Sequence, residues 1–124
     1  MELADLEAVL LDRKSRPPAG SYSATLLTDA ERASRKLMEE AYEVCLELTR
    51  PHVDQDRAAA EAADLLFHLL AGLVGAGVPL ERVMAELGAR RGAGSGGPVA
   101  QPEGSQDPVG SQDPAVEQQE ESQP

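Results

Sequence analysis

From Glu61 to Leu70 the chain reads EAADLLFHLL, a run in which Ala and Leu dominate and neither Gly nor Pro intervenes. Helix is therefore the expected local structure. At ~100° per residue, Leu65, Leu66, Phe67, Leu69, Leu70 and Leu73 cover nearly every direction, and only a ~60° wedge holding Glu61, Asp64 and His68 is polar. A helix apolar on so many sides is expected in an interior. Because a bare buried charge is very costly, its carboxylates must then be paired, protonated or bound to a metal.

A second acidic run precedes it. In KLMEEAYEV, residues 36–44, Glu39, Glu40 and Glu43 share one ~100° wedge with Glu47, roughly opposite Leu37, Ala41, Val44 and Leu48. An ordinary amphipathic helix would show the same pattern. If the two helices pack antiparallel, however, four or five carboxylates converge. Such acids raise one another's pKa unless a divalent cation sits among them. Mg2+ is the expected ion, since it prefers carboxylate oxygen and shares its remaining positions with water and phosphate.

The remaining elements follow from local signals. Leu3, Leu6, Val9 and Leu10 predict a helix over 2–14, ended by Pro17-Pro18. Ser21, Tyr22 and Ser23 are then expected in a loop, with Arg13 and Arg16 near enough to help hold a phosphate or ribose. Thr28 with Glu31 reads as a capping box opening a second helix that ends near Thr49, before Pro51. Lys36 is placed to pair with Glu39 or Glu40, or to face a substrate phosphate. Asp54 or Asp56 should cap the third helix, which ends near Gly75 and Gly77. For His68 a structural hydrogen bond is preferred over metal ligation. Pro79 opens a fourth helix running to about Arg90, which can serve as a C-terminal charge or an anion contact. His52 is expected as an exposed loop residue, and Cys45, the single cysteine, as a small buried hydrophobe.

Residues 92–124 are rich in Gly, Pro, Ser and Gln and repeat Gly-Ser-Gln-Asp-Pro at 104–108 and 110–114. A disordered tail is expected, because this composition cannot bury enough apolar area to offset its ordering entropy. The formal net charge of −11 divides into −6 for 92–124, with six acids and no Lys or Arg, and −5 for 1–91. An acidic body without a basic stripe argues against nucleic acid and anionic membrane as partners. The acidic start MELADLEAVL lacks the basic region of a signal peptide, and no uninterrupted apolar run reaches ~18 residues, so a cytoplasmic location is expected. Four helices with three aromatic residues in the whole chain make a thin core. A second copy is expected to complete the apolar faces of the second and third helices, giving an all-α homodimer.

The spacing EExxE, a gap, then ExxD resembles the MazG-like superfamily of all-α nucleotide pyrophosphohydrolases. Within it, residues 3–90 resemble the phosphoribosyl-ATP pyrophosphohydrolase family, which acts in the second step of histidine biosynthesis. The matching pieces are Arg13, Pro-Ala-Gly-Ser-Tyr-Ser at 18–23, Lys36-Leu-Met-Glu-Glu-Ala41, Glu43, Glu61-Ala-Ala-Asp-Leu-Leu-Phe-His68, Val83, Glu86-Leu87 and Arg90. Ser23 stands where the family usually has Thr, Met38 where it has a small residue, and Asp29-Ala30 where it often has Gly; none of these is a carboxylate of the pattern. No zinc-ligand set of the related, sometimes fused, cyclohydrolase is expected.

The resemblance implies a MazG-like domain over 1–91 that hydrolyses phosphoribosyl-ATP to phosphoribosyl-AMP and pyrophosphate. It implies Mg2+ on Glu40, Glu43, Glu61 and Asp64, with Glu39 orienting or deprotonating the attacking water. Lys36, Arg13 and Arg90 would neutralise phosphate, and Ser21, Tyr22 and Ser23 would contact the phosphoribosyl or triphosphate end. The alternatives are a superfamily enzyme that hydrolyses ordinary or damaged nucleoside triphosphates and a non-catalytic helical dimerisation module. A Ca2+ loop of the twelve-residue type is absent.

Overall fold

A computed structural model describes residues 1–93, and these form five α-helices: α1 (Leu3–Ser15), α2 (Tyr22–Thr28), α3 (Ala30–Leu48), α4 (Gln55–Gly75) and α5 (Leu80–Ala93). Among the described residues there is no β-strand. The expected tail falls almost wholly outside them.

α3 and α4 share the largest interface. The link between them is short, and its caps are those of two helices turning back on each other. The Thr49 N–H bonds to the Cys45 carbonyl at 3.1 Å, closing α3. Asp54 accepts from the N–H groups of Asp56 and Arg57 at 3.0 and 3.1 Å, satisfying two of the free donors that open α4. α1 and α2 lie against α4 and contribute Leu10, Leu26 and Leu27 to a core with Ala33, Leu70, Ala71 and Val74. Leu6, Phe67, Leu73 and Leu80 pack around it.

Helix ends are also tied across the fold. The Lys14 ammonium donates to the Val74 carbonyl at 2.9 Å, placing a cation at the negative C-terminus of α4. The Glu7 carboxylate accepts from the Leu80 N–H at 2.6 Å, placing an anion at the positive N-terminus of α5.

Five helices replace the four expected, because residues 22–28 form α2 where a loop was predicted. Ser21 caps it, and Leu26 and Leu27 are drawn into the core, so tertiary packing overrides the modest helix propensity of Ser, Tyr and Thr. The predicted Thr28–Glu31 capping box does not form. The Thr28 hydroxyl instead bonds to the Ala24 carbonyl at 2.9 Å inside α2, and Asp29 caps α3 by accepting from the Arg32 N–H at 3.0 Å. Cys45 is exposed rather than buried, lying between the outward-facing Tyr42 and Leu46.

The interior placement of α4 holds only in part. His68, Leu70, Ala71 and Val74 are buried, whereas Leu66 and Leu69 remain exposed in the single chain. By length and mean hydropathy, 1.4 over eighteen residues, α4 has the dimensions of a membrane span. Glu61 and Asp64 interrupt it, so the helix holds no uninterrupted apolar run of that length.

The C-terminal end of α4 passes so close to α2 that a Cβ on Gly75 would lie 2.9 Å from the Leu27 carbonyl oxygen and 3.3 Å from its Cα. Both are backbone atoms and cannot swing aside. Gly75→Ala should therefore destabilise the fold by about 1–3 kcal/mol despite alanine's better helix propensity. A melting temperature equal to or above that of the parent would show that this contact is looser than described.

Candidate active site

The spacing along two antiparallel helices builds the site. Glu40, Glu43 and Glu47 follow one face of α3, and Arg57, Glu61, Asp64 and His68 follow the facing side of α4, each about one turn from the next. Glu40, Glu43 and Glu61 can each bring a carboxylate oxygen within 4.8 Å of the others. Glu40 is almost buried and Glu43 is exposed, so the group has a closed side and an open side.

Glu61 is the strained member. Its Oε2 is buried and has no hydrogen-bond partner, which is uncommon for a buried polar atom. The carboxyl contact with Glu43, then burial, then the charges of Glu43, Asp64 and Glu40 hold its pKa above the ordinary 4.5. Two ionised carboxylates cannot hydrogen-bond each other. A proton or a cation must lie between them for the pair to be comfortable, and an all-oxygen donor set with one buried, unsatisfied oxygen fits a hard divalent cation.

The other sequence-predicted residues are distributed around this trio. Asp64 is exposed and stands outside the closest group, though near enough to act on Glu61. Lys36 pairs with Glu39 at 2.8 Å and approaches Glu40 at 3.8 Å. Its hydrogen bond and charge hold the Glu39 carboxyl below the usual range. Glu39 is exposed, on the rim beside Glu40.

Arg13, Ser21, Tyr22 and Ser23 come together at the start of α2. Arg13 Nη1 donates to Ser23 Oγ at 3.1 Å, and the Ser21 and Ser23 hydroxyls are 2.9 Å apart. The Tyr22 hydroxyl meets His68 Nε2 at 2.9 Å, and His68 Nδ1 meets the Asp64 carbonyl at 2.6 Å. A carbonyl can only accept, so Nδ1 carries a proton, and in the neutral ring Nε2 accepts from the tyrosine. Both His68 nitrogens are thereby engaged within the protein, in line with the structural hydrogen bond preferred from sequence. The imidazole joins the seryl-tyrosyl segment to the acidic face of α4.

Arg90 lies elsewhere, paired with Glu86 at 3.0 Å on α5, in a shallow groove with Val83 and Leu87. Sequence reasoning passed over Arg32, whose guanidinium sits 5.9 Å over the Tyr22 ring. It also passed over Arg57, which bonds to Glu47 at 3.0 Å. For Arg57 a signal existed: it lies one turn before Glu61, as Glu47 lies one turn after Glu43.

A family model described as phosphoribosyl-ATP pyrophosphohydrolase matches residues 3–91, all five helices save the last two residues of α5. The chain belongs to the phosphoribosyl-ATP pyrophosphohydrolase family. A phosphoribosyl-ATP pyrophosphatase of Rhizobium johnstonii is 44% identical over 95 residues, covering 76% of this chain and 86% of the relative. The protein of that name from Methylobacterium nodulans is 42% identical over 86 residues, covering 68% and 78%. That of Caulobacter vibrioides is 42% identical over 90 residues, covering 73% and 82%. Every residue placed in or around the site lies inside the span matched by the phosphoribosyl-ATP pyrophosphohydrolase family, the paired acidic faces of α3 and α4 and the Ser21–Ser23 segment included.

Proposed function

We propose that this chain hydrolyses phosphoribosyl-ATP to phosphoribosyl-AMP and pyrophosphate, the second step of L-histidine biosynthesis, using Mg2+ held by Glu40, Glu43, Glu61 and Asp64. The observation that carries the metal assignment is the buried, unpartnered Oε2 of Glu61 facing two further carboxylates. When bound, Mg2+ neutralises phosphate charge and lowers the pKa of water.

The chain's own groups supply the rest. Glu39, kept ionised by Lys36, can accept a proton from, or orient, a water at the rim. Lys36, besides pairing with Glu39, offers a cation to phosphate oxygens. Arg13 and the hydroxyls of Ser21, Tyr22 and Ser23 form a donor-rich surface suited to the phosphoribosyl or triphosphate end, with Tyr22 held in place by His68. Arg90 would reach substrate only as a second, outlying phosphate contact.

A second copy of the chain is the natural cover for Met38, Tyr42 and Leu46 of α3 and Leu66 and Leu69 of α4, all exposed in the single chain. In this reading the working unit is a cytoplasmic homodimer of domains spanning 1–91, and neither a nucleic acid nor a membrane is proposed as a partner. Truncation after Arg91 should leave turnover within about twofold of the full chain, since no assigned group lies beyond it; a large loss would bring residues 92–124 into the mechanism.

The deciding assay is pyrophosphate release by the purified protein from phosphoribosyl-ATP, with Mg2+ and with EDTA, beside a panel of ordinary nucleoside triphosphates. Metal-dependent release confined to phosphoribosyl-ATP is the expected result. Release from the panel alone would move the protein to the triphosphate-cleansing enzymes of the superfamily.

A further inference from the structure

We propose that Glu47 and Arg57 are positioning residues for the carboxylate site, a clasp that fixes the register of α3 against α4 so that Glu40, Glu43 and Glu61 are assembled before the cation arrives. This rests on the reading of that trio as a metal site.

Glu47 continues the acidic face of α3 one turn beyond Glu43, yet its role in the structure is different. It is 5% exposed, and both of its oxygens are taken by guanidinium groups. Arg50 donates through Nε at 2.9 Å and Nη2 at 3.2 Å, and Arg57 donates through Nη2 at 3.0 Å. A carboxylate so engaged is no longer free to coordinate a cation. Arg50 belongs to the same helical end as Glu47 and cannot restrain α4. Arg57 sits on α4 and makes the only one of these bonds that crosses between the helices.

Two successive rungs of one interface therefore carry opposite signs. Glu43 facing Glu61 is repulsive when both are ionised and no cation lies between them, whereas Glu47 facing Arg57, about one turn away on each helix, is attractive. The attractive rung opposes the splaying that the repulsive one would drive, and charge-assisted geometry at a buried carboxylate makes it directional. The cation then meets three carboxylates already close together and does not itself have to draw the helices into register.

Charge alone predicts the opposite of a clasp, which makes Arg57 the useful position. Removing a cation beside a cation site makes the surroundings more negative and should tighten metal binding. Removing a positioning residue should weaken it. The Arg57 side chain is 59% exposed and its helix continues into Ala58-Ala59-Ala60, so Arg57→Ala is compatible with folding.

The experiment is calorimetric titration of the metal-free full-length protein with Mg2+, well below the melting temperature of each variant. The clasp predicts that Arg57→Ala raises the Mg2+ dissociation constant roughly tenfold, as loss of groups that orient metal ligands does elsewhere. Arg57→Lys, which keeps the charge and one contact, should return to within about threefold of the parent. A residue that merely stabilised the fold would lower the melting temperature equally with and without Mg2+ and leave this constant unchanged. Equal or tighter binding by Arg57→Ala, or a lysine variant as weak as the alanine one, would overturn the clasp while leaving the metal site intact. Failure of the parent protein to bind Mg2+ would remove the metal-site reading and the clasp together.

Discussion

Replacing Glu61 with glutamine is expected to lower kcat on phosphoribosyl-ATP by roughly two to three orders of magnitude and, in EDTA, to raise the melting temperature. The two effects have one origin. In the metal-free protein the Glu61 carboxyl faces Glu43 from a partly buried position, and its pKa lies above 4.5. A folded-state value raised above the unfolded one means that the folded protein binds the proton more tightly. The resulting stability is fully present below about 4.5, the unfolded value, and is lost as pH rises through the raised folded value. Once ionised, the group opposes folding. Glutamine cannot ionise and can donate to Glu43, so the variant should be the more stable of the two without metal.

Added Mg2+ should reverse that order by stabilising the parent and not the variant, since only the parent retains the full donor set. Melting curves in EDTA and in Mg2+ across pH 4–8 check both signs. If Glu61→Gln kept full turnover, the carboxylate trio would lose its place in the chemistry. If the parent melted identically with and without Mg2+, the acidic faces would be those of a helical module that holds no metal.

Leu10→Ala is the second large effect, and it concerns the fold. Leu10 is 0% exposed and belongs to a core of seven buried apolar residues among those the structure describes. A buried leucine cut to alanine costs about 2.7–5 kcal/mol, against a total stability of roughly 5–15 kcal/mol for a typical domain. The melting temperature should fall by at least ~10 °C. Its neighbour Leu11 is 48% exposed, so Leu11→Ala should stay within about 0.5 kcal/mol of the parent. Similar losses at the two positions would mean that α1 presents a different face to α4.

Much of the fold and of the candidate site was legible because two helices announce themselves. The ends of α3 and α4 are written in Thr49 and Asp54, and the carboxylates recur at turns of a helix, so their convergence needed only antiparallel packing. α2 was hidden for a physical reason. Seven residues carry too little periodicity to register, and the segment's helicity is enforced by Leu26 and Leu27 finding partners on other elements. The N-cap of α3 was misplaced by one residue because Thr28 and Asp29 are both good caps, and only the competing bond from Thr28 to Ala24 decides between them. Cys45 was misjudged because an apolar neighbourhood in sequence does not say whether that face of α3 meets α4 or points away. α4 is apolar on most sides, and which of those sides is buried within one chain is not written in its sequence: Leu70 is buried whereas Leu66 and Leu69 are exposed. Glu47 shows the converse limit: its periodicity is that of Glu40 and Glu43, and only the positions of Arg50 and Arg57 show that both of its oxygens are already engaged.

The tie from Lys14 to Val74 joins residues sixty positions apart, and the core places Leu10 among Leu70, Ala71 and Val74. α1 therefore leaves the ribosome long before the surface it must cover exists. α3 and α4 are joined by a short link and bonded to each other through Glu47 and Arg57. Because loop-closure entropy favours local pairings, their hairpin is expected to form ahead of the docking of α1. That order brings the acidic trio together before α1 seals the hydrophobic core.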